Sequence, residues 1–271
     1  MENMMLDVIH IDDPDHPAVS AFRDVRERDL TGRQGLFIAE GEVVLRQLVS
    51  SASACRVRSL LLAEQRLDGL SELIAALPQG TPVYCAKQSV LDRIAGFNLH
   101  RGLLGLGEKP RPRQVRDLLA GLSGDAVVVA ASGIGNHDNI GGLYRNAAAF
   151  GAAGVLLDDL CADPFYRKAI RVSVGAVLRM PAAEALPLDD LVSTLVAHGF
   201  EVIALTPNAR ERLSVLKPGG RRALLLGSEG PGLPTEVIRR CRAVSIPMSN
   251  GFDSLNVAAT SAIALHQLTR T

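Results

Sequence analysis

The sequence predicts an α/β protein in two parts, the second carrying a mostly parallel sheet with helices on both faces. Two observations lead to this. Short apolar runs rich in Val, Leu and Ala recur along the chain and alternate with helix-patterned segments, the order expected when parallel strands are joined by crossover helices. The alternation is interrupted by GEKPRPRQVRDLLAGLSGD, from Gly107 to Asp125, whose prolines, basic residues and turn-forming end suit a linker. A boundary near residue 115 divides the chain into 1–115 and 116–271.

In the first part, GLFIAEGEVVLRQLVSS reads as a strand over Leu36–Ala39 and then a helix, because Val43, Val44 and Leu48 fall at helical spacing. VRSLLLAE is a buried strand, and LDGLSELIAALP is an amphipathic helix stopped by Pro78. PVYCA is a further strand, and SVLDRIAGF a helix with Ser89 at its N-cap. In the second part, strands are predicted at Ala126–Ala131, Gly154–Leu157, Val177–Met180, Glu201–Leu205, Ala223–Leu226 and Ala243–Ile246. Helices are predicted at Ile140–Phe150, Phe165–Val172, Leu188–His198, Pro234–Arg240 and Ser254–Leu268. Ligands on such sheets sit beyond the carboxyl ends of the strands, so the loops that follow the strands are where chemistry is to be sought.

Bulk composition sets limits. With 271 residues, 47% of them apolar, the chain is long enough for one large or two ordinary domains with proper cores. The 29 basic and 29 acidic residues cancel, which argues against a strongly electrostatic nucleic-acid binder but leaves room for local basic patches. Trp is absent and aromatics make up 4%, too few for extensive base stacking. Cys55, Cys85, Cys161 and Cys241 show no CxxC spacing, as expected of scattered reduced thiols in a cytosolic protein. The N-terminus has no basic n-region, and no apolar run approaches the roughly 20 residues of a membrane span. The expectation is a soluble cytoplasmic protein with no membrane partner and no metal.

The loop after Ala131, Ser132-Gly133-Ile134-Gly135-Asn136-His137-Asp138, looks like the start of a dinucleotide-binding unit. A G-x-G-x-x-G fingerprint needs its third glycine at 138, where the helix packs on the strand and its N-terminus receives a diphosphate. Asp138 stands there and would repel the diphosphate. Asp158 falls about where a ribose-binding acid could lie, so a nucleotide-dependent oxidoreductase stays open at this point.

Three segments carry a more specific set of polar residues. Asn139-Ile140-Gly141-Gly142 opens a helix, and Arg145 follows one turn in. Taken alone, the Asn is a cap and the Arg a surface charge or ion-pair partner. ALLLGSEGPGLP, from Ala223 to Pro234, is a strand followed by a turn with Gly227, Gly230, Gly232 and the acid Glu229. Its glycines permit unusual φ and close approach of backbone to a ligand. VSIPMSNGFDSLNVAATSAIALHQL, from Val244 to Leu268, is a strand ended by Pro247, a polar loop and an apolar helix. Asp253, Ser254 or Asn256 could cap that helix, and Ala258, Ala259, Ser261 and Ala262 make a small-residue face suited to tight packing.

Together these segments resemble the SpoU (TrmH-type) branch of the SPOUT RNA methyltransferases. NIGGLYRNAAAFG matches the family's first motif through Asn139, Gly141 and Arg145. LLLGSEGPGL matches the second through Gly227, Glu229 and Gly232, and IPMSNGFDSLNVAAT the third through Ile246, Met248, Ser254, Leu255 and Asn256. RKAIRVSVGAVLRMP, from Arg167 to Pro181, is similar to the family's middle segment. The resemblance spans residues 120–271. FIAEGEVVLRQLV, VRSLLLAE and the GFNLHRGLLGLG tail resemble, more loosely, the α/β RNA-binding substrate domain that often precedes it. One departure is that the family often has Asp-Pro ahead of the motif Asn, where Asn136-His137 stand here.

The resemblance implies a trefoil-knotted α/β domain that works as a homodimer, binds S-adenosyl-L-methionine and methylates a ribose 2′-oxygen of tRNA or rRNA. It assigns the cofactor to Thr206, Gly227, Ile246, Met248 and Leu255, and catalysis to Asn139, Arg145, Glu229, Ser254 and Asn256. A guanidinium is a poor general base. Arg145 is therefore expected to clamp the adjacent phosphate and stabilise the forming 2′-alkoxide, the proton leaving to phosphate or water. Glu229 would orient Arg145 or the loop. RNA contacts are expected from Arg23, Arg26, Arg28 and Arg33, from His100 and Arg101, and from Lys109, Arg111 and Arg113. An RNA-binding or ribosome-assembly factor that has lost catalysis is the alternative on the same fold.

Overall fold

The structure, a computed structural model, describes residues 8–23, 30–249 and 254–269, and of Arg33 the backbone only. The chain forms two units. One comprises Met1–Pro110 with Phe165–Arg179, the other Arg111–Pro164 with Met180–Thr271. A single cut near residue 115 therefore leaves out one feature, the return of Phe165–Arg179 to the first unit.

The first unit holds a five-stranded sheet of β1 (Val8–His10), β2 (Leu36–Glu40), β3 (Arg56–Ala63), β4 (Val83–Ala86) and β5 (Leu103–Glu108), in the order β1-β4-β3-β5-β2. β1, β4 and β3 run parallel, and β5 is antiparallel to both its neighbours. Helices α1 (Glu42–Val49), α2 (Ser71–Ala75) and α3 (Gln88–Ala95) connect them. The amphipathic stretch ahead of Pro78 shortens to α2, preceded by single turns of 3-10 helix at Glu64–Arg66 and Asp68–Leu70. Ser89 is not a cap. α3 begins a residue earlier, after Lys87, and the Gln88 side chain instead donates to Asp92 (2.8 Å) and to the Leu99 carbonyl (2.9 Å).

The second unit holds a six-stranded, wholly parallel sheet in the order β7-β6-β10-β8-β11-β9. The strands are β6 (Ala126–Ala131), β7 (Gly154–Leu157), β8 (Glu201–Leu205), β9 (Glu211–Arg212), β10 (Arg221–Leu226) and β11 (Arg242–Ser245). The helices are α4 (Val115–Ala120), α5 (His137–Ala149), α7 (Leu188–Ala197), α8 (Thr235–Arg239) and α9 (Val257–Leu268). Alternate residues divide the faces. Val128 and Ala130, Val202 and Ala204, and Ala223 and Leu225 pack with Leu118 of α4, Leu191 and Leu195 of α7 and Val237 of α8. α5 and α9 pack on each other and reach β6, β7 and β10 from the other side. The presumed linker thus contributes a helix: Val115, Leu118 and Leu119 belong to this core, and the Arg113 backbone is held between Ala182 and Glu184 (2.9 Å each).

Contact between α5 and α9 is close because Gly142 has no Cβ; one placed there would come 2.5 Å from the Cβ of Ala258. Asn146 Nδ2 then donates to the Ala258 carbonyl (2.7 Å) and to Ser261 Oγ (2.9 Å). Register places the carboxyl ends of the strands along one edge: Leu226 is opposite Ala131, Ala131 opposite Leu157, and Val244 opposite Leu205. The loops after β6, β8, β10 and β11 therefore emerge together.

Phe165–Arg179 carries α6 (Arg167–Val172), which packs on β2. Arg167 and Arg171 lie 3.3 and 3.8 Å from the carboxylate of Glu40, whose side chain is 9% exposed. The strand predicted at Val177–Met180 is instead a 3-10 turn, Ala176–Leu178. Val174 (φ 55°) and Gly175 (φ 81°) turn the chain just ahead of it, and a short buried apolar run does not by itself distinguish strand from turn. No helix among the described residues is long and apolar enough to cross a membrane.

Candidate active site

The site begins at the start of α5. Asn136 is the N-cap: its side chain accepts from the Asp138 backbone N–H at 2.8 Å. Where the resembled family often has Asp-Pro, an Asn thus caps the helix equally well. Asp138 adds a negative charge in the first turn, favourable to the helix dipole and unfavourable to a diphosphate. With capping done by Asn136, Asn139 is free for other work, and it is buried, 4% exposed.

Asn139 joins the three motif segments. Its Nδ2 donates to Glu229 Oε1 at 2.8 Å, and its Oδ1 accepts from Asn256 Nδ2 at 2.8 Å. Asn256 Nδ2 also lies 3.4 Å from Glu229 Oε1. The Oδ1 of Asn256 meanwhile caps α9, accepting from the backbone N–H groups of Ala258 (2.9 Å) and Ala259 (3.3 Å). One carboxylate and two amides therefore tie the start of α5, the loop after β10 and the start of α9 together. A bond donated to a charged acceptor is about twice as strong as a neutral one.

Asp158 has a different task from the one a dinucleotide reading gives it. It is 1% exposed and accepts from Ser132 Oγ (2.6 Å) and from the backbone N–H groups of Gly133 (3.0 Å) and Leu160 (3.1 Å). Those bonds pin the loop after β6, where Gly133 has φ 65°, and leave no carboxylate reaching outward for a ribose. Sequence reasoning missed this pin, although the Ser-Gly after one strand and the acid after its parallel neighbour were visible as a pair of strand ends.

Beside the Asn139–Glu229–Asn256 set is a cavity of about 660 Å³. Thr206, Gly227, Ile246, Met248 and Leu255 line it. Glu229, Ser254 and Asn256 line it too. Asn139 and Arg145 do not belong to the wall. The loop after β10 folds back tightly: a Cβ on Gly227 would lie 2.6 Å from the backbone of Gly232 and Leu233, and Gly230 and Gly232 take φ 95° and 67°. Thr206 and its neighbour Pro207 form the wall from the loop after β8. Arg145 is exposed, and its side chain makes no hydrogen bond or ion pair among the described residues. Glu229 has Asn139 and Asn256 as its hydrogen-bond partners.

The basic candidates are distributed over both units. In the first unit, Arg23 is ion-paired with Asp15 at 2.8 Å. Arg101 is exposed and lies against Gly41, where a Cβ would come 2.9 Å from its Nη1. In the second, Arg111 and Arg113 are exposed. Arg26, Arg28, Asp253 and the side chain of Arg33 lie outside the described residues.

Residues 126–266 match the SpoU rRNA Methylase family. A protein of Mycobacterium tuberculosis described as an uncharacterized tRNA/rRNA methyltransferase is 38% identical over 276 residues, covering 98% of this chain and 93% of that one. Its counterpart in Mycobacterium bovis is 37% identical over 275 residues, with the same coverage. Among solved structures, an rRNA methyltransferase from Sinorhizobium meliloti superposes with a TM-score of 0.76 at 25% identity, covering 96% of each chain. The SpoU methyltransferase AviRb from Streptomyces viridochromogenes shares the fold, with a TM-score of 0.75, 22% identity and coverage of 92% and 93%. With the motif segments joined at one sheet edge and the family match running over the same residues, this chain belongs to the SpoU rRNA methylase family.

Proposed function

We propose that this chain transfers a methyl group from S-adenosyl-L-methionine to a ribose 2′-oxygen of tRNA or rRNA. The observation that carries the reading is the hydrogen-bonded set Asn139–Glu229–Asn256 beside the cavity. Membership of a methylase family supports methyl transfer, and the tRNA/rRNA methyltransferase relatives support RNA as acceptor. The cavity, about 660 Å³, falls within the roughly 300–1,000 Å³ of small-molecule sites. Its glycine-rich loop offers backbone groups, and Leu255, 44% exposed, offers apolar surface. Thr206, Gly227, Ile246, Met248 and Leu255 would hold the cofactor, which when bound supplies an electrophilic sulfonium methyl.

The rest of the task falls to the chain's own side chains. Methyl transfer by in-line displacement needs alignment and a more nucleophilic oxygen. Arg145, an exposed cation whose side chain has no hydrogen bond or ion pair among the described residues, would grip the RNA phosphate and stabilise negative charge developing on the 2′-oxygen. A guanidinium is a poor general base, so the hydroxyl proton leaves to phosphate or water. Asn139, Glu229 and Asn256 would hold the loops in register, with Ser254 on the substrate side. The same reading includes the trefoil knot, a cytoplasmic location and a homodimer through the second unit. RNA contacts by Arg23, Arg33, Arg101, Arg111 and Arg113 belong to it as well.

Arg145→Ala is the test. The variant should bind S-adenosylhomocysteine within about twofold of wild type and lose at least about 100-fold in methyl transfer, the loss typical of removing one transition-state contact. Near wild-type turnover would remove Arg145 from the chemistry.

A further inference from the structure

Among the described residues, one group of metal-ligating side chains lies outside the site above: His10, Glu64 and Cys85, in the first unit. Sheet register brings them together. β1 and β4 run parallel with His10 opposite Cys85, and β4 and β3 run parallel with Cys85 opposite Leu62. Opposed positions share a face of the sheet, and side chains two residues apart return to the same face. Glu64, two residues beyond Leu62, therefore comes back to the His10–Cys85 face just where the chain leaves β3. The Sγ of Cys85 lies 3.2 Å from His10 Nδ1, and that nitrogen lies 3.6 Å from Glu64 Oε1. All three donor atoms fall within 4.8 Å of one another.

We propose that His10, Glu64 and Cys85 bind one divalent cation of the Zn²⁺ class, and that this ion staples β1 to the rest of its sheet. A thiolate, an imidazole and a carboxylate form the mixed donor set that Zn²⁺ accepts. With bonds of about 2.3 Å to sulfur and about 2.0–2.1 Å to nitrogen and oxygen, tetrahedral geometry separates S from N by about 3.5 Å and N from O by about 3.3 Å. The observed 3.2 and 3.6 Å lie within a few tenths of these values. Cys85 is fully buried while His10 is exposed, so the ion would sit at the rim of the sheet with water in its fourth position. Among the described residues β1 pairs with β4 alone, at the edge of the sheet, so it gains from a second attachment. Binding forms the metal–sulfur bond and releases the thiol proton to solvent.

The site is independent of methyl transfer, and each proposal survives the failure of the other. The test uses the full chain, stripped with a chelator and titrated with Co²⁺, whose bonds to thiolate give a near-ultraviolet charge-transfer band. Wild type should take up one Co²⁺ with that band, lose the band on adding Zn²⁺, and melt at a higher temperature when metal is bound. Cys85→Ser should lose the band. Glu64→Gln and His10→Ala alter exposed or half-exposed side chains that the fold tolerates, and each should weaken Co²⁺ binding about tenfold or more. A band that survives Cys85→Ser, wild-type affinity in both Glu64→Gln and His10→Ala, or no Co²⁺ uptake by the wild type overturns the proposal. The last result would leave the three side chains as a hydrogen-bonded set.

Discussion

Replacing Asn139 with Ala removes the junction of the three loops, and the cost can be worked bond by bond. The lost bond to Glu229, 2.8 Å and charge-assisted, is worth about 1.5–3 kcal/mol, and the neutral bond from Asn256, also 2.8 Å, about 0.5–1.5 kcal/mol. Water from the adjoining cavity can replace part of each, so a loss near the lower sum, about 2 kcal/mol, is expected. The partner variant is Asn256→Ser, because Ser keeps the cap on α9 while losing the amide that reaches Asn139. Because the two side chains share one 2.8 Å bond, the double variant is less destabilised than the sum of the singles by about 0.5–1.5 kcal/mol, the worth of that bond. The assay is urea unfolding followed by circular dichroism, fitted unit by unit, since a chain of two units need not unfold in one step. Additivity within about 0.3 kcal/mol would refute the direct coupling of the first and third motifs.

Two further predictions rest on separate contacts. Gly142→Ala forces a methyl to within 2.5 Å of the Ala258 Cβ; the second unit should lose about 1–3 kcal/mol, recovered by adding Ala258→Gly, and an unchanged melting temperature would contradict the close α5–α9 packing. Cys161, between the Ile134 N–H and the Ala131 carbonyl (both 3.4 Å), has its thiol pushed up to about 12, first by burial, as has Cys55. Both should therefore be almost entirely thiol at pH 8 and react with iodoacetamide far more slowly than a peptide cysteine; peptide-resolved labelling at the free-thiol rate would contradict this.

Much of the second unit was legible because a buried parallel strand is a nearly continuous apolar run. AVVVAA, GVLL, EVIAL and the LLL of β10 could hardly be anything else in alternation with helices. The same logic misread Val177–Met180, whose apolar residues are buried in a turn set by Val174 and Gly175. β5 escaped notice because Gly105 and Gly107 look like breaks. They serve packing: a Cβ on Gly107 would come 2.2 Å from the Phe37 ring, and one on Gly105 2.6 Å from Leu45. β1, three residues among those described, carries no readable period. In the site, the motif residues were legible as a set, but their connections were not. An Asn at a helix start is ordinarily a cap, and only the structure assigns the cap to Asn136, leaving Asn139 to Glu229 and Asn256. Pairings across 90 and 117 residues carry no local signal.

The central claim is that the joined loops, the cavity and Arg145 together methylate a ribose. Its most direct test is labelled methyl transfer from S-adenosylmethionine to separated tRNA and rRNA pools taken from cells lacking the protein, with mapping of the modified nucleotide. Label on a ribose 2′-oxygen at a defined position in one pool, absent with Arg145→Ala, is the predicted result. Label on a base, or wild-type incorporation by Arg145→Ala, would contradict it.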